Sequence, residues 1–430
     1  MAIHHATEID SPSGAPTGRD GLAPRQGRFP ALASPNFRTL WIALVVTNTG
    51  TWMATVAEGW LVTDLEPARK SFYLGLIALA FAVPMATLPL IGGVIADRVP
   101  KIRLLWITQI TFLIQSIVVA LFTLTDRATV GLLIAASFVT AVILAVDSPV
   151  RHSLVPDIVS REQLTSAVSL NSAAFSGATL VGPAVAGALI PAIGVGGVFA
   201  INAVSSLATL VALARFRPFV ESRRDVSGDR MTEAIAAAFR YVRQTPLVGG
   251  LLLLSLFSGL FGRSYTLLLP AFARDVYGAG STGYGVLVAV GGVGAIAGAT
   301  VLGGRRNDLT RRGRIVVAAY AVQAALLIAL AVNDIYAVAL AIQVAFAVTV
   351  SVAAALVSTL IQSVVPPEIR ARVISFMLLT FIAAPSVGTF VLGALADATS
   401  LQRAVGAFSV ALVATLAVVV ARNPAVREAA

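Results

Sequence analysis

The chain has 430 residues, 57% of them hydrophobic and only 12% charged, with a mean hydropathy of +0.87. A soluble domain carries about 25% charged residues, so a water-facing surface over this length is excluded and the chain belongs in lipid. The net charge of +10 would suggest nucleic acid in a soluble protein, but the arginines lie in short loops between apolar runs, which excludes a nucleic-acid partner and points to membrane topology.

Residues 1–36 are polar and rich in Pro, Gly, Ser and Arg. No apolar stretch follows a basic start there, so no cleaved signal peptide is predicted, only a disordered arm. Six apolar runs follow, at about 40–65, 72–96, 102–124, 129–146, 164–190 and 194–214. The first is unusually polar for a lipid-facing helix, carrying Asn48, Thr51, Trp52, Glu58 and Trp60. The second ends in Gly92 and Gly93, followed by the acid Asp97 and the bases Arg98, Lys101 and Arg103. That pattern is a tight turn at a membrane surface. A polar connection from Asp147 to Arg151 closes the fourth run.

Residues 215–245 form the longest internal hydrophilic segment and hold seven arginines. Ile235, Ala238, Phe239 and Val242 recur there at helical spacing, which predicts an interfacial amphipathic helix linking two halves. Six more apolar runs occupy about 247–272, 283–302, 315–332, 335–357, 369–396 and 403–420. Each run is long enough for a core ~30 Å thick, which needs about 20 residues. The predicted fold is therefore an all-α membrane protein of twelve transmembrane helices. They divide into a first half (37–214), a linker (215–245), a second half (246–421) and a tail (422–430).

The charges agree with that count. Twelve spans put both termini on one side, and the loops of that side collect Arg98, Lys101, Arg103, Arg151, Arg161, the linker arginines, Arg305, Arg306, Arg311, Arg312 and Arg314. The opposite loops hold only Arg69, Lys70, Arg127, Arg274 and Arg403. By the positive-inside rule both termini are expected in the cytoplasm. The halves also repeat: Gly75 and Gly285, Gly93 and Gly303, and Pro156 and Pro366 are each 210 residues apart. A duplicated six-helix unit is the signature of a parallel-repeat transporter.

From about Phe37 to Ala421 the chain resembles the major facilitator superfamily, within it the branch similar to the enterobactin exporter. Gly93, Asp97, Arg98, Lys101 and Arg103 match the superfamily's loop between spans two and three, with Pro100 where glycine is usual. Gly182, Pro183 and Gly187 resemble the glycine-proline motif of the fifth span in exporters, although Ala184, Val185 and Ala186 stand where more glycine is expected. Branch texture shows in Asn48 to Met53, in Asp147, Ser148, Pro149 and Arg151, and in Leu269 to Val276. The resemblance implies alternating access in a bacterial-type inner membrane, a monomer, and efflux of a siderophore- or drug-like small molecule. Lysophospholipid movement, which some relatives perform, and uptake instead of export remain open on the residues alone. It also implies that Asp97 caps the eleventh span's N-terminus, near Ile369 to Val373, when the cytoplasmic side is closed.

There are no cysteines and only three scattered histidines, so disulfides and a metal site are excluded. No catalytic constellation, cofactor motif or nucleotide-binding loop occurs, so an ion gradient, by default of protons, is the expected energy source. A carboxylate inside a span costs about 2.5–3.5 kcal/mol on insertion scales, and low dielectric favours the neutral form of any carboxyl. Glu58 is therefore a candidate for proton coupling or for binding a cationic substrate, or else it reaches interfacial water at the outer end of its span. Arg263 is the candidate cation of the seventh span, to pair with Glu58, hold an anionic substrate, or bond backbone carbonyls at a glycine-loosened turn. Asn48, Trp52, Asn171, Phe175, Phe257, Tyr265, Phe376 and Phe381 are candidate cavity lining. Gating is expected at the loop motif, at Asp147, Pro149 and Arg151, and at Gly182, Pro183 and Gly187.

Overall fold

A computed structural model describes residues 29–88, 99–217, 231–303 and 312–428; Gly93, Asp97 and Arg98 lie outside these. The described chain is helical almost throughout. The first half contains α1 (Pro35–Leu65), α2 (Lys70–Thr87), α3 (Lys101–Leu124) and α4 (Val130–Ile158), then α5 (164–193) and α6 (195–214). The linker helix is α7 (Met231–Gln244). The second half contains α8 (Pro246–Val276), α9 (Gly280–Gly303), α10 (Arg312–Val332), α11 (Tyr336–Val364), α12 (Pro367–Ala398) and α13 (Leu401–Arg422). Twelve membrane-spanning helices result, because the apolar stretch 164–214 reverses at Gly194. That residue has φ 72°, a backbone conformation glycine adopts without steric cost.

Local sequence sets the helix starts. Ser34 accepts from the Phe37 amide, Thr129 from that of Leu132, and Ser400 from that of Arg403, each satisfying an orphan donor of the first turn. Three spans depart from expectation, the tenth simply by running on to Val364 where an end near Val357 was expected. The fourth was predicted to end near Val146, yet α4 runs on to Ile158 through Pro149 and Pro156. Asp147 and Asp157 find their partners inside the half, at Thr108, Gln109 and Arg151 and at Lys101, so the helix continues past them. The seventh is not a uniform helix: it widens into a π-turn at Ser258–Gly262 and tightens into a 3-10 turn at Arg263–Leu268.

The packing has two regimes. At the linker end each half has its own core, Phe37, Leu105, Val150 and Leu154 in the first and Leu251, Val316, Val357 and Val373 in the second. At the opposite end one core is shared, joining Val56, Leu61, Leu74 and Val198 to Leu268, Phe272, Leu287 and Leu392. The shared region closes on two helix pairs, α2 with α12 and α5 with α9. A Cβ added to Gly75 would lie 2.5 Å from the Phe390 Cα, and one added to Gly285 would lie 2.5 Å from the Pro183 oxygen and 2.7 Å from the Gly187 Cα. Lipid tails give no hydrophobic drive between helices, so such close backbone approach through small residues is what binds them. Gly75 and Gly285, 210 residues apart, thus do the same work in the two repeats.

The π-turn of α8 leans on α12 in the same way, with Gly388 against the Leu260 carbonyl and Gly259 against that of Thr380. Gly388→Val should destabilise the protein by about 1–3 kcal/mol through overpacking. Gly177→Ala, where an added Cβ meets nothing within 4 Å, should leave the melting temperature of the detergent-solubilised protein unchanged or slightly higher.

Candidate functional site

Glu58 lies on α1, seven residues before the helix ends at Leu65, a depth of about 10 Å at 1.5 Å per residue. It is half-buried, and its Oε1 accepts a hydrogen bond from the Ser137 hydroxyl of α4 at 2.6 Å. Its partner is therefore a side chain of its own half. Tyr284 of α9 packs on the same turn of α1: a Cβ on Gly59 would lie 2.8 Å from the Tyr284 hydroxyl. Trp60 stacks on Tyr284 at 6.4 Å, and the Arg274 guanidinium lies 5.7 Å from the Trp60 ring. The carboxylate thus sits directly beneath the place where the halves close.

A set of polar contacts crosses between the halves at this closure. Arg274 pairs with Asp64 and donates to the Thr63 hydroxyl at 3.0 Å, and Lys70 pairs with Asp275 at 2.7 Å. Both pairs are partly exposed, so each is worth only about 0–1 kcal/mol. Asp397 is different in kind. From the end of α12 its carboxylate accepts from the Ser71 amide at 3.2 Å and the Phe72 amide at 2.8 Å. Those are orphan donors in the first turn of α2, so one half supplies the N-cap of a helix in the other. Lys70 and Arg274 stood out in the sequence only as loop cations and Arg274 and Asp275 only as family texture; Asp64 and Asp397 did not stand out. The repeat offset was the available signal, since Asp64 and Arg274 are themselves 210 residues apart.

Arg263 occupies the junction of the π-turn and the 3-10 turn of α8. It is not paired with Glu58. Its Nη2 donates to the Phe381 carbonyl at 2.9 Å, and its guanidinium lies 4.6 Å from the Phe381 ring. Tyr265, proposed as cavity lining, is instead buried in the core, donating to Gln343 Oε1 at 2.6 Å and meeting Phe346 edge-on. Phe257 stacks on Phe261, and Phe257, Phe376 and Phe381 are all half-buried.

In the first half, Trp52 of α1 meets Phe175 of α5 edge-on at 6.1 Å, with Phe175 exposed. Gly182 lets these helices touch, since a Cβ there would lie 2.6 Å from that of Trp52. Asn48 is half-buried, and Asn171 Oδ1 is buried without a hydrogen-bond partner. Pro183 and Gly187 lie on the α5–α9 contact, where Thr282 donates to the Gly187 carbonyl at 3.0 Å.

Asp147 and Arg151 flank Pro149 inside α4 and pair one turn apart. Asp147, 4% exposed, also accepts from Thr108 Oγ1 at 2.8 Å and Gln109 Nε2 at 2.9 Å. This carboxylate fastens α4 to α3. Lys101 performs a similar task at the linker end, bonding Asp157 Oδ2 at 2.6 Å and the Ser153 carbonyl at 3.0 Å. Arg103 is exposed.

Twelve membrane spans in two six-helix halves, joined by a shared core at one end, define a transporter of the major facilitator fold. Residues 26–430 match the family model described as Transmembrane secretion effector, and the chain belongs to that family. It is a multi-pass membrane transporter and not an enzyme. The staphyloferrin A transporter of Staphylococcus aureus (strain NCTC 8325 / PS 47) is 26% identical over 255 residues, which are 59% of this chain and 63% of that relative's length. The multidrug efflux pump Tap of Mycolicibacterium fortuitum is 24% identical over 396 residues, 90% of this chain and 95% of Tap. In fold, a bacterial homolog of the human lysosomal transporter Spinster, solved inward-facing and unoccupied, superposes with a TM-score of 0.68 at 16% identity, over 91% of this chain and 98% of that one. A D-xylose-proton symporter gives 0.67 at 13% identity, over 88% and 96%.

Two outcomes are expected from this geometry. Asp397→Ala removes the cap between the halves, a loss of about 0.5–2 kcal/mol, which shifts a two-state closure by roughly 2- to 30-fold. A single cysteine at the buried Val62, in this cysteine-free chain, should then react several-fold faster with an impermeant maleimide. Asp147→Ala leaves Arg151 as an uncompensated buried charge and should cost about 3–5 kcal/mol, read as a lower melting temperature, with Asp147→Asn costing less.

Proposed function

We propose that the protein exports a small amphipathic or aromatic compound, siderophore- or drug-like, in exchange for protons. It works as a monomer by alternating access in a bacterial-type cytoplasmic membrane. The linker end and both termini face the cytoplasm, and the shared core closes the outer side. Orientation follows from the loop arginines, which gather at the linker end. Efflux of such compounds is supported by the relatives, one a siderophore transporter and the other a multidrug efflux pump.

The single observation that carries proton coupling is the position of Glu58. It is a carboxyl in a transmembrane helix, hydrogen-bonded to Ser137 of its own half, and packed under the Tyr284 and Trp60 contact that joins the halves. A charge there is costly unless it has partners or water, so the outer side closes most readily over the neutral form. When that side opens, water reaches the site and protonation can follow from outside. Substrate arriving from the cytoplasm then competes for the same space as the proton leaves inward. The coupling lies in one group being read by both conformations.

Proton movement in proteoliposomes tests this, with wild type and Glu58→Gln challenged by siderophores and cationic dyes. Substrate-triggered flux in wild type that falls at least tenfold in Glu58→Gln is the expected outcome. Flux unaffected by the substitution removes Glu58 from coupling. No flux with any compound overturns proton exchange and brings lysophospholipid movement forward. Ser137→Ala should retain flux with an altered pH dependence, because it removes the bond to Glu58 and leaves the carboxyl.

A further inference from the structure

Arg263 is a cation in the second half for which no acidic partner exists among the described residues; the ion pairs there are Lys70–Asp275, Lys101–Asp157, Arg151–Asp147 and Arg274–Asp64. A guanidinium has five N–H donors, and the hydrogen bond to the Phe381 carbonyl uses one of them. Beside it lies a small cavity lined by Ser255, Ser258, Tyr320, Gln323 and Phe381. The hydroxyls there are already engaged, Ser255 with Tyr320 at 3.1 Å and Ser258 with Gln323 Oε1 at 2.7 Å. Gln323 is fully buried, and its Nε2 has no partner. An unsatisfied buried amide donor is costly, and an unpaired membrane-buried cation is unfavourable as well. The unsatisfied groups at this cavity are donors, the Gln323 amide and the remaining N–H groups of Arg263, and both call for an acceptor.

We infer that Arg263 and Gln323 form an anion subsite that receives a carboxylate group of the transported molecule. This assignment deepens the transport function proposed above and rests on it. The cavity is small, with about 10 Å³ open to the centre of a water-sized atom, so it takes a single acceptor oxygen. The second oxygen meets the guanidinium, whose N–H donors form charge-assisted hydrogen bonds to a carboxylate. The body of the molecule stays outside, against the half-buried rings of Phe381 and Phe257. The π-turn makes this possible, because it is the irregular backbone of α8 that brings Arg263 beside Phe381 of α12 and the cavity formed with α10 and α11. An aromatic or amphipathic carboxylate fits; a purely cationic compound gains nothing from this subsite.

The test uses the full-length protein in detergent, titrated calorimetrically with 1-naphthoate and with 1-naphthamide, which share a ring and differ in charge. Wild type is expected to bind the carboxylate at least tenfold more tightly than the amide. Arg263→Gln should erase that preference to within twofold while keeping the affinity for the amide. Arg263→Lys, which keeps the charge without the fork, should retain a preference of roughly threefold. Gln323→Glu, which gives the guanidinium an internal carboxylate, should abolish the preference and raise the melting temperature. A purely structural Arg263 predicts equal binding of the two probes at every stage. Wild type that binds both probes equally, or neither, overturns the subsite, as does a preference that survives Arg263→Gln. Carboxylate preference is read by calorimetry on Arg263→Gln and proton exchange by dye-triggered flux on Glu58→Gln, so the two readings fail separately.

Discussion

The two halves share a core at one end only, and most of the structure depends on how that shared end is held. Its contacts are backbone against backbone, Gly75 on Phe390 and Gly285 on Pro183 and Gly187. Such contacts rely on shape and close dispersion contact, because in lipid there is no hydrophobic gain from burying one apolar face on another. A surface of this kind is bistable: it fits closely or it separates, with little between. The polar contacts around it, and above all the Asp397 cap on α2, add strength that is modest per bond and reversible. An interface of weak, geometrically exact parts is what a rocking transporter needs, since a stronger seal would not open again.

Rigidity within each half is arranged differently. Asp147 ties α3 to α4 through Thr108, Gln109 and Arg151, and Lys101 binds the end of α4 through Asp157 and Ser153. These are buried, multiply bonded charges within one half, and losing a partner from such a set is costly. The contrast with the partly exposed pairs at the closure follows from function: interactions inside a moving body should survive the movement, and interactions between bodies should not.

The two ionisable groups near the centre play unlike parts. Glu58 has one hydrogen bond, to Ser137 of its own half, and sits beneath the closure. Arg263 is set apart in the second half by an irregular turn, against a ring and a carbonyl. Gly388 and Gly259 let that turn lie close to α12. The departure from regular helix is thus built into the packing of the half.

How much could be read in advance depends on the range of the physics involved. The sequence by itself determined the twelve spans, including the separation of 164–190 from 194–214, the repeat at 210 residues and the family, because hydropathy, helix period and motif spacing are local properties printed in consecutive residues. It also singled out Glu58 and Arg263, since any charge in an apolar run is conspicuous. It ended α4 too early, because Asp147 looks like a loop residue until Thr108 and Gln109 are brought beside it. It placed Tyr265 in a cavity, because an aromatic residue shows no preference for core or cavity until Gln343 and Phe346 are seen around it. Only the tertiary structure decided that Glu58 bonds Ser137, that Asp397 caps a helix in the other half, and that Gln323 lies beside Arg263. These pairs are separated by tens to hundreds of residues, and which of many polar side chains meet is fixed by how helices cross, a long-range outcome that no local pattern encodes.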